Sequence, residues 1–290
     1  MTTITSDERT VRRVSRRLRD LCEPIASCVY FAPEAFERYQ QIGLDDYAVG
    51  YFTSRGACMG RVSGEVVTAT FGVFNPEIVI PAVDAGWSKT DPETVLAARQ
   101  DGATAAVRRM IGEPDTARAV EILRDVMEPR SVAGRSLFAG LRSLPFPDDP
   151  IGALWRACDY VREHRGDGHI AAWVGAGVDP VEIGLLTECY WGMKPRTYIR
   201  TRGWSDEQLD AGVARLEARG LLRDDAFTDA GRELRRGIEF ATDAMETRVV
   251  DALGEGADEL FEILEPWTKA ILDAKGYPAD PAELMNRDDE

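Results

Sequence analysis

Apolar positions set the first elements. Val11, Val14, Leu18, Leu21 and Ile25 recur at three- and four-residue spacing, the period of an amphipathic helix that Pro24 is expected to bend or end. Arg12, Arg13, Arg16, Arg17 and Arg19 fall between them and read as a solvated face. A second short helix is expected from Pro33 to Leu44, stopped by Gly43. From Tyr47 to Pro81 five glycines interrupt apolar runs, and periodicity there fits short strands as well as small-residue helices. Asp91-Pro92-Glu93 places a capping carboxylate before a proline at the first helical position, so a helix is predicted through Val95, Ala98, Ala103, Val107 and Met110 to Gly112. Another is predicted from Pro114 to Met127.

Arg130 to Pro150 is rich in Gly and Pro and reads as a linker between a helical domain, 1–150, and a second domain, 151–290. In the second, Leu154, Cys158 and Val161 suggest a helix that Gly166 and Gly168 end in a turn, with the next helix beginning at His169. Asp179-Pro180-Val181-Glu182 and Ser205-Asp206-Glu207-Gln208 both have the form of a capping box. Leu209, Val213 and Leu216 then make an apolar stripe ending at Gly220. Leu221 to Thr228, with Asp224-Asp225 between short apolar runs, fits a small hairpin. Thr228 caps a long helix with Leu234, Ile238, Ala241, Met245 and Val249 on one face. Pro278 to Glu290 reads as a loose tail.

This order of helices, Gly-Leu-Leu, short wing and Thr-capped long helix, carried by GWSDEQLDAGVARLEARGLLRDDAFTDAGRELRRGIEFATDAM, resembles the winged helix of MarR-type proteins. With YFAPEAF, YFTSRGACMG and REHRGDGHIAA, the whole chain looks like an actinobacterial winged-helix-like family to which no function attaches. The resemblance implies a mainly α fold with a degenerate MarR-like winged helix in the C-terminal half. Gly86-Trp87-Ser88 repeats Gly203-Trp204-Ser205, so the N-terminal half is read either as a second degenerate copy or as unrelated helices. The long helices of MarR-type dimers also imply a homodimer, with Leu234, Ile238, Met245 and Val249 packing either within the chain or against a second copy.

The composition is that of a globular protein, 44% apolar and 29% charged, which excludes collagen-like and wholly disordered classes. A net charge of −15 repels polyphosphate unless basic groups gather on one face. The expected recognition helix opens with Asp206, Glu207, Gln208 and Asp210, and its wing carries Asp224 and Asp225, so carboxylates dominate where major- and minor-groove readers need basic or amide groups. DNA is therefore disfavoured, with Arg196, Arg200 and Arg202 as the segment that would support it. Five widely spaced cysteines without a Cys-x-x-Cys pair indicate neither a disulfide framework nor a zinc ribbon, and with no apolar leader or span the expected setting is the cytoplasm.

Both histidines fall in Arg162-Glu163-His164-Arg165-Gly166-Asp167-Gly168-His169. His164 and His169 with Glu163 or Asp167 are candidates for a general acid–base pair, because imidazole titrates near neutrality. The alternative is that Asp167 caps a helix and the imidazoles fix a turn. The same groups could instead be metal ligands, although the spacing matches no established motif, and the sequence leaves open whether a metal or haem is bound. A small aromatic or anionic ligand would be held by Tyr51, Arg55, Trp87, Trp204 and Arg165, since a charge among aromatics and glycines needs a partner. No Gly-x-Ser-x-Gly elbow or glycine-rich phosphate loop occurs, and Cys189 is a weak nucleophile candidate. Three functions follow: small-molecule binding on a winged-helix scaffold that has lost operator recognition, an enzyme using the His/Asp pair, or a ligand-responsive regulator.

Overall fold

A computed structural model describes residues 6–285, and the regular structure of these residues is fifteen α-helices, three short 3-10 helices and one two-stranded hairpin. The first eight helices are α1 (Glu8–Ser27), α2 (Pro33–Gln41), α3 (Tyr47–Gly56), α4 (Gly64–Phe71), α5 (Pro76–Trp87), α6 (Pro92–Ile111), α7 (Ala117–Met127) and α8 (Ser136–Ser143). Asp7, Asp46, Asn75 and Asp91 cap α1, α3, α5 and α6 through their side chains, satisfying amide groups that have no partner inside a helix.

Pro24 does not end α1, which continues to Ser27. The helix packs against the helices Pro150–Gly175 and Gly256–Asp273, and within the loosened turn Thr268 donates its hydroxyl to Leu21 O at 2.7 Å. The Tyr47–Pro81 stretch is helical throughout its regular elements: Gly50, Gly56 and Gly64 serve close contact, and Gly60 and Gly72 end their helices at φ 83° and 71°. A Cβ on Gly64 would lie 2.6 Å from Ile80 Cα, and one on Gly56 3.0 Å from Val67 Cγ2. The expected linker is not one: it contains α8, whose Leu137, Phe138 and Leu141 are buried in the main core.

The central element is α9 (Pro150–Gly175), a single helix through the segment expected to turn at Gly166 and Gly168. The expected domain boundary falls at its N-terminus. Its first half carries Leu154, Trp155 and Val161 into a core shared with α1, α5, α6, α7 and the C-terminal helices. Its last turns carry Ala172 and Trp173 into a second core.

That second core is built by α10 (Pro180–Tyr190), α11 (Asp206–Ala218), the hairpin β1 (Leu222–Arg223) and β2 (Ala226–Phe227), and α12 (Asp229–Ala244). Both capping boxes form as the sequence predicts. The antiparallel hairpin pairs Leu222 with Phe227 and Arg223 with Ala226. Asp224 and Asp225 turn it at φ 52° and 60°, a left-handed pair that Asp tolerates better than most residues. α10 lies at 108° to α9, and α11 crosses α10 closely enough that a Cβ on Gly212 would sit 2.5 Å from Val181 Cγ1.

The chain ends with α13 (Thr247–Leu253), α14 (Gly256–Asp273) and α15 (Pro281–Met285). α12 stops at Ala244 instead of running to Val249, since Arg135 reaches in to donate to Met245 O at 3.3 Å. Val249 is buried in the first core while Met245 is exposed, so the apolar stripe expected on one helix is divided between two. Of the tail expected to be loose, 281–285 form α15, and 286–290 lie outside the described residues. The repeated tripeptide marks opposite helix ends: Ser88 follows the last turn of α5, whereas Ser205 caps the first turn of α11.

Candidate functional site: an arginine-lined cavity

Charged residues on inward faces define the site. On α1, Arg16 replaces the expected solvated position with a buried one, its Nε and Nη2 each 2.8 Å from Asp243 Oδ2 on α12. Arg165 on α9 donates to the other oxygen of Asp243 at 3.0 Å and to Glu239 at 3.3 Å. Arg235 lies over the Tyr190 ring at 4.4 Å and donates to Glu239 at 2.6 Å. Buried guanidinium and carboxylate groups thus tie α1, α9 and α12 together, which is tolerable only because each carboxylate is multiply paired.

These helices, with α3 and α10, enclose a cavity of about 250 Å³ where the two cores meet. Residues 162, 165, 166 and 169 present one stripe of α9 to it, and Gly166 keeps the wall open. Its lining includes six arginines (Arg19, Arg55, Arg162, Arg165, Arg202, Arg235) and three glutamates (Glu23, Glu163, Glu239). Tyr190, Trp191, Tyr198, Ile183 and Ile199 supply apolar and aromatic wall. Three buried polar atoms on the lining have no hydrogen-bond partner: Arg165 Nη1, Arg235 Nε and the Tyr190 hydroxyl.

Arg55 has the partner its sequence context demands. Its Nε and Nη2 grip Glu163 at 2.9 and 2.8 Å, and its Nη1 donates to the Tyr51 hydroxyl at 3.3 Å. Burial pushes the Glu163 carboxyl up, but the charges of Arg55 and Arg162 outweigh it and hold it at about 2. Glu239 is governed the same way: burial opposes ionisation, and Arg235, His169 and Arg165 keep the carboxyl well below its usual range.

The two histidines do not form a pair. Five positions at about 100° each turn them about 140° apart on a continuous helix. His164 faces Glu246, Nδ1 to Oε2 2.9 Å, and meets the Phe138 ring edge-on at 4.9 Å. His169 lines the cavity with Nδ1 3.0 Å from Thr242 Oγ1. Thr242 donates its hydroxyl proton to Ile238 O at 2.8 Å, so Nδ1 carries the imidazole proton and Nε2 is the basic nitrogen. Burial lowers the His169 pKa to about 4, leaving the ring neutral at pH 7. Neither imidazole is paired with Glu163 or Asp167. Asp167 accepts from Phe138 N at 3.1 Å, capping α8 instead of its own helix, and burial raises its carboxyl to about 7.

Trp87 and Trp204 lie outside the lining. Their indole N–H groups donate to Val62 O at 2.7 Å and Val73 O at 2.9 Å, fixing packed positions. Tyr51 stands behind Arg55 within a ring cluster, 5.0 Å from Tyr30 and 5.6 Å from Phe74. The Cys189 thiol is raised to about 11 by burial and points to Asp225 O at 3.9 Å, away from any imidazole. None of the five cysteines is in a disulfide. Among the described residues no three His, Cys, Asp or Glu side chains converge on a metal position.

Sequence reading missed Arg235 and Glu239. Their signal was present: both sit beside the apolar stripe of α12, at the positions after Leu234 and Ile238, where a solvated face would have begun one residue later. Glu188 was also missed as an organiser. Its buried carboxylate accepts from the amides of Arg196, Thr197 and Ile199 at 2.7, 2.9 and 2.7 Å, shaping the loop that leads into α11.

The exposed side of α11 shows no free basic run. Arg196 pairs with Asp210 and Asp225, both at 2.7 Å, and Arg200 pairs with Asp206. Arg202 turns inward over Phe74 at 4.8 Å and Tyr198 at 4.4 Å. A right-angled helix pair, a capped third helix, a hairpin wing and a returning helix make this a helix-turn-helix protein, mainly α, with one small sheet. The chain belongs to a helix-turn-helix family, which it matches over residues 15–278. No curated protein and no solved structure matches it. No single described helix is long and apolar enough to cross a membrane.

Proposed function

We propose that this helix-turn-helix protein binds a small anionic molecule, carrying an aromatic or other apolar body, in the arginine-lined cavity. The observation that carries the reading is the lining itself: six arginines against three glutamates in a chain of net charge −15, with buried donors on Arg165, Arg235 and Tyr190 left unpaired. Buried donors without partners are costly, and an anion seated among them removes that cost. Tyr190, Tyr198 and Trp191 offer ring faces to the body of such a ligand.

The scaffold is a MarR-like winged helix whose third helix does not read operator DNA. Support comes from Arg196 and Arg200, whose charge is matched by carboxylates of α11 and the wing, and from the acidic first turn of α11. The free thiols suit a cytoplasmic setting.

The test is calorimetric titration with salicylate, phenyl phosphate and inorganic phosphate, repeated on Arg235→Gln. Saturable binding of at least one of these to wild type, weakened at least tenfold in the variant, is expected. Binding that is equal in both proteins, or absent for the whole panel, overturns the proposal. Salt-sensitive, sequence-selective DNA binding that Arg196→Gln and Arg200→Gln abolish would overturn its second part.

A further inference from the structure

A second guanidinium, away from the cavity, stands in an open groove. Arg156 lies on the first half of α9 and is only 4% exposed. It has no ion pair. Its Nη2 donates to Gln100 Oε1 at 3.0 Å, while Nε and Nη1 have no hydrogen-bond partner. The carboxylate that attracts it, Asp159, is held through Oδ2 by Arg99 at 3.0 Å, and its buried Oδ1 has no hydrogen-bond partner. Burial lowers the Arg156 pKa, with Arg99 repelling and Asp159 attracting. A buried cation held by one neutral amide and by the Trp155 ring, 5.5 Å from its guanidinium carbon, is an unfinished arrangement, because charges out of water are normally paired.

The groove beside it has a volume of about 1080 Å³ and lies between residues 57–60, α6, one face of α8 and the Leu144–Pro147 segment. Leu96, Met59, Leu144, Phe146 and Pro147 give it apolar walls, and its two carboxylates, Glu93 and Asp148, sit on the exposed rim. An apolar trough ending in one cation, with acidic groups only at the mouth, matches the chemistry of a monocarboxylate on a hydrocarbon tail. Phosphates and dianions suit it less well, since a single guanidinium leaves their second charge unmatched and the rim repels it.

We infer that this groove is a second binding site, for an apolar monocarboxylic acid whose carboxylate displaces Gln100 from Arg156. The amide oxygen of Gln100 now holds the position that a ligand oxygen takes, and a charged acceptor on a guanidinium is the stronger partner. Gln100 also donates to Thr104 Oγ1 at 3.1 Å, so it has an anchor when it swings aside. Cys58 lies on the wall, but burial raises its thiol to about 12, so it contributes bulk and no covalent chemistry. The site is independent of the Arg165–Arg235 cavity.

Octanoate and octanol are the probes, titrated by calorimetry into the whole protein. Because the arginine-lined cavity also suits an apolar anion, the titrations are made on Arg235→Gln as well as on wild type, and the groove is read in that variant. Arg235→Gln is expected to bind octanoate saturably and at least tenfold more tightly than octanol. Adding Arg156→Met, which keeps the volume and removes the charge, is expected to bring octanoate down to the octanol level. Equal binding of the two probes to Arg235→Gln, or octanoate binding that survives in the double variant, overturns the inference. Should the double variant not fold, Leu96→Trp on the Arg235→Gln background, which fills the groove from its partly exposed wall, must abolish saturable octanoate binding, and its persistence overturns the inference equally.

Discussion

At the scale of single residues, burial decides what each ionisable group of α9 does. Asp167 is the clearest case: it is 5% exposed, and burial lifts its carboxyl to about 7 from an ordinary value of 3.8. Between these values the native chain holds a proton that the unfolded chain has released. Stability attached to this group is therefore present below pH 4 and lost as pH rises toward 7. Asp167→Asn keeps an acceptor for Phe138 N and removes the titration. Relative to wild type, the variant should gain on the order of 2 kcal/mol between pH 5 and pH 8, read from urea unfolding at the two values. A gap that stays constant would show that Asp167 is ionised throughout. His169 has the opposite sign, its pKa lowered to about 4. Its contribution is present above pH 6.5 and lost as pH falls through 4, so the comparison with Asp167→Asn is made as a difference between the two proteins.

At the scale of elements, α9 shows how local rules yield to packing. Gly166 and Gly168 weaken a helix by their backbone freedom, which is why the segment reads as a turn. Each has a different use in the fold. A Cβ at 168 would lie 2.9 Å from Arg135 Nη1, which reaches across the helix to His164 O and Met245 O. A Cβ at 166 would lie 3.7 Å from its nearest neighbour, Glu163 Oε2, an ordinary contact. Gly166→Ala should therefore raise stability by about 0.5–1 kcal/mol, whereas Gly168→Ala should lower it, since it pushes Arg135 off both carbonyls. Thermal unfolding of the two variants distinguishes this from a hinge at the glycines, in which case both would be destabilising. The capping boxes of α10 and α11 and the I′-like turn of the wing were legible beforehand, because a cap or a tight turn is settled by residues three or four apart.

At the scale of the whole molecule, the two cores are not two halves of the sequence. Leu260, Leu264 and Ile271 of α14 lie in the same core as Val14 and Leu18 of α1, and Asp243 joins α1 to α9 and α12. Cutting the chain at 150, where sequence reading places the boundary, removes α9, α13 and α14 from the helices they cover. Separately expressed fragments 1–150 and 151–290 should lack a cooperative thermal transition, while the whole chain unfolds in one step. Two independent transitions from the fragments would establish the boundary as a true domain border.

The sequence by itself determined what depends on near neighbours: helical character, caps, the wing, the family-like order of elements, and an acidic third helix. It also marked Arg55 as a charge in need of a partner. The identity of that partner, Glu163, lies 108 residues away, and nothing in local spacing reveals it. The same holds for Arg16 with Asp243, for Asp167 capping α8, and for the separation of the two histidines, which depends on α9 continuing through its glycines. Those outcomes were left to the tertiary structure, because burying a charge or straightening a weak helix is unfavourable alone and becomes favourable only when distant helices supply the carboxylate, the amide or the apolar face.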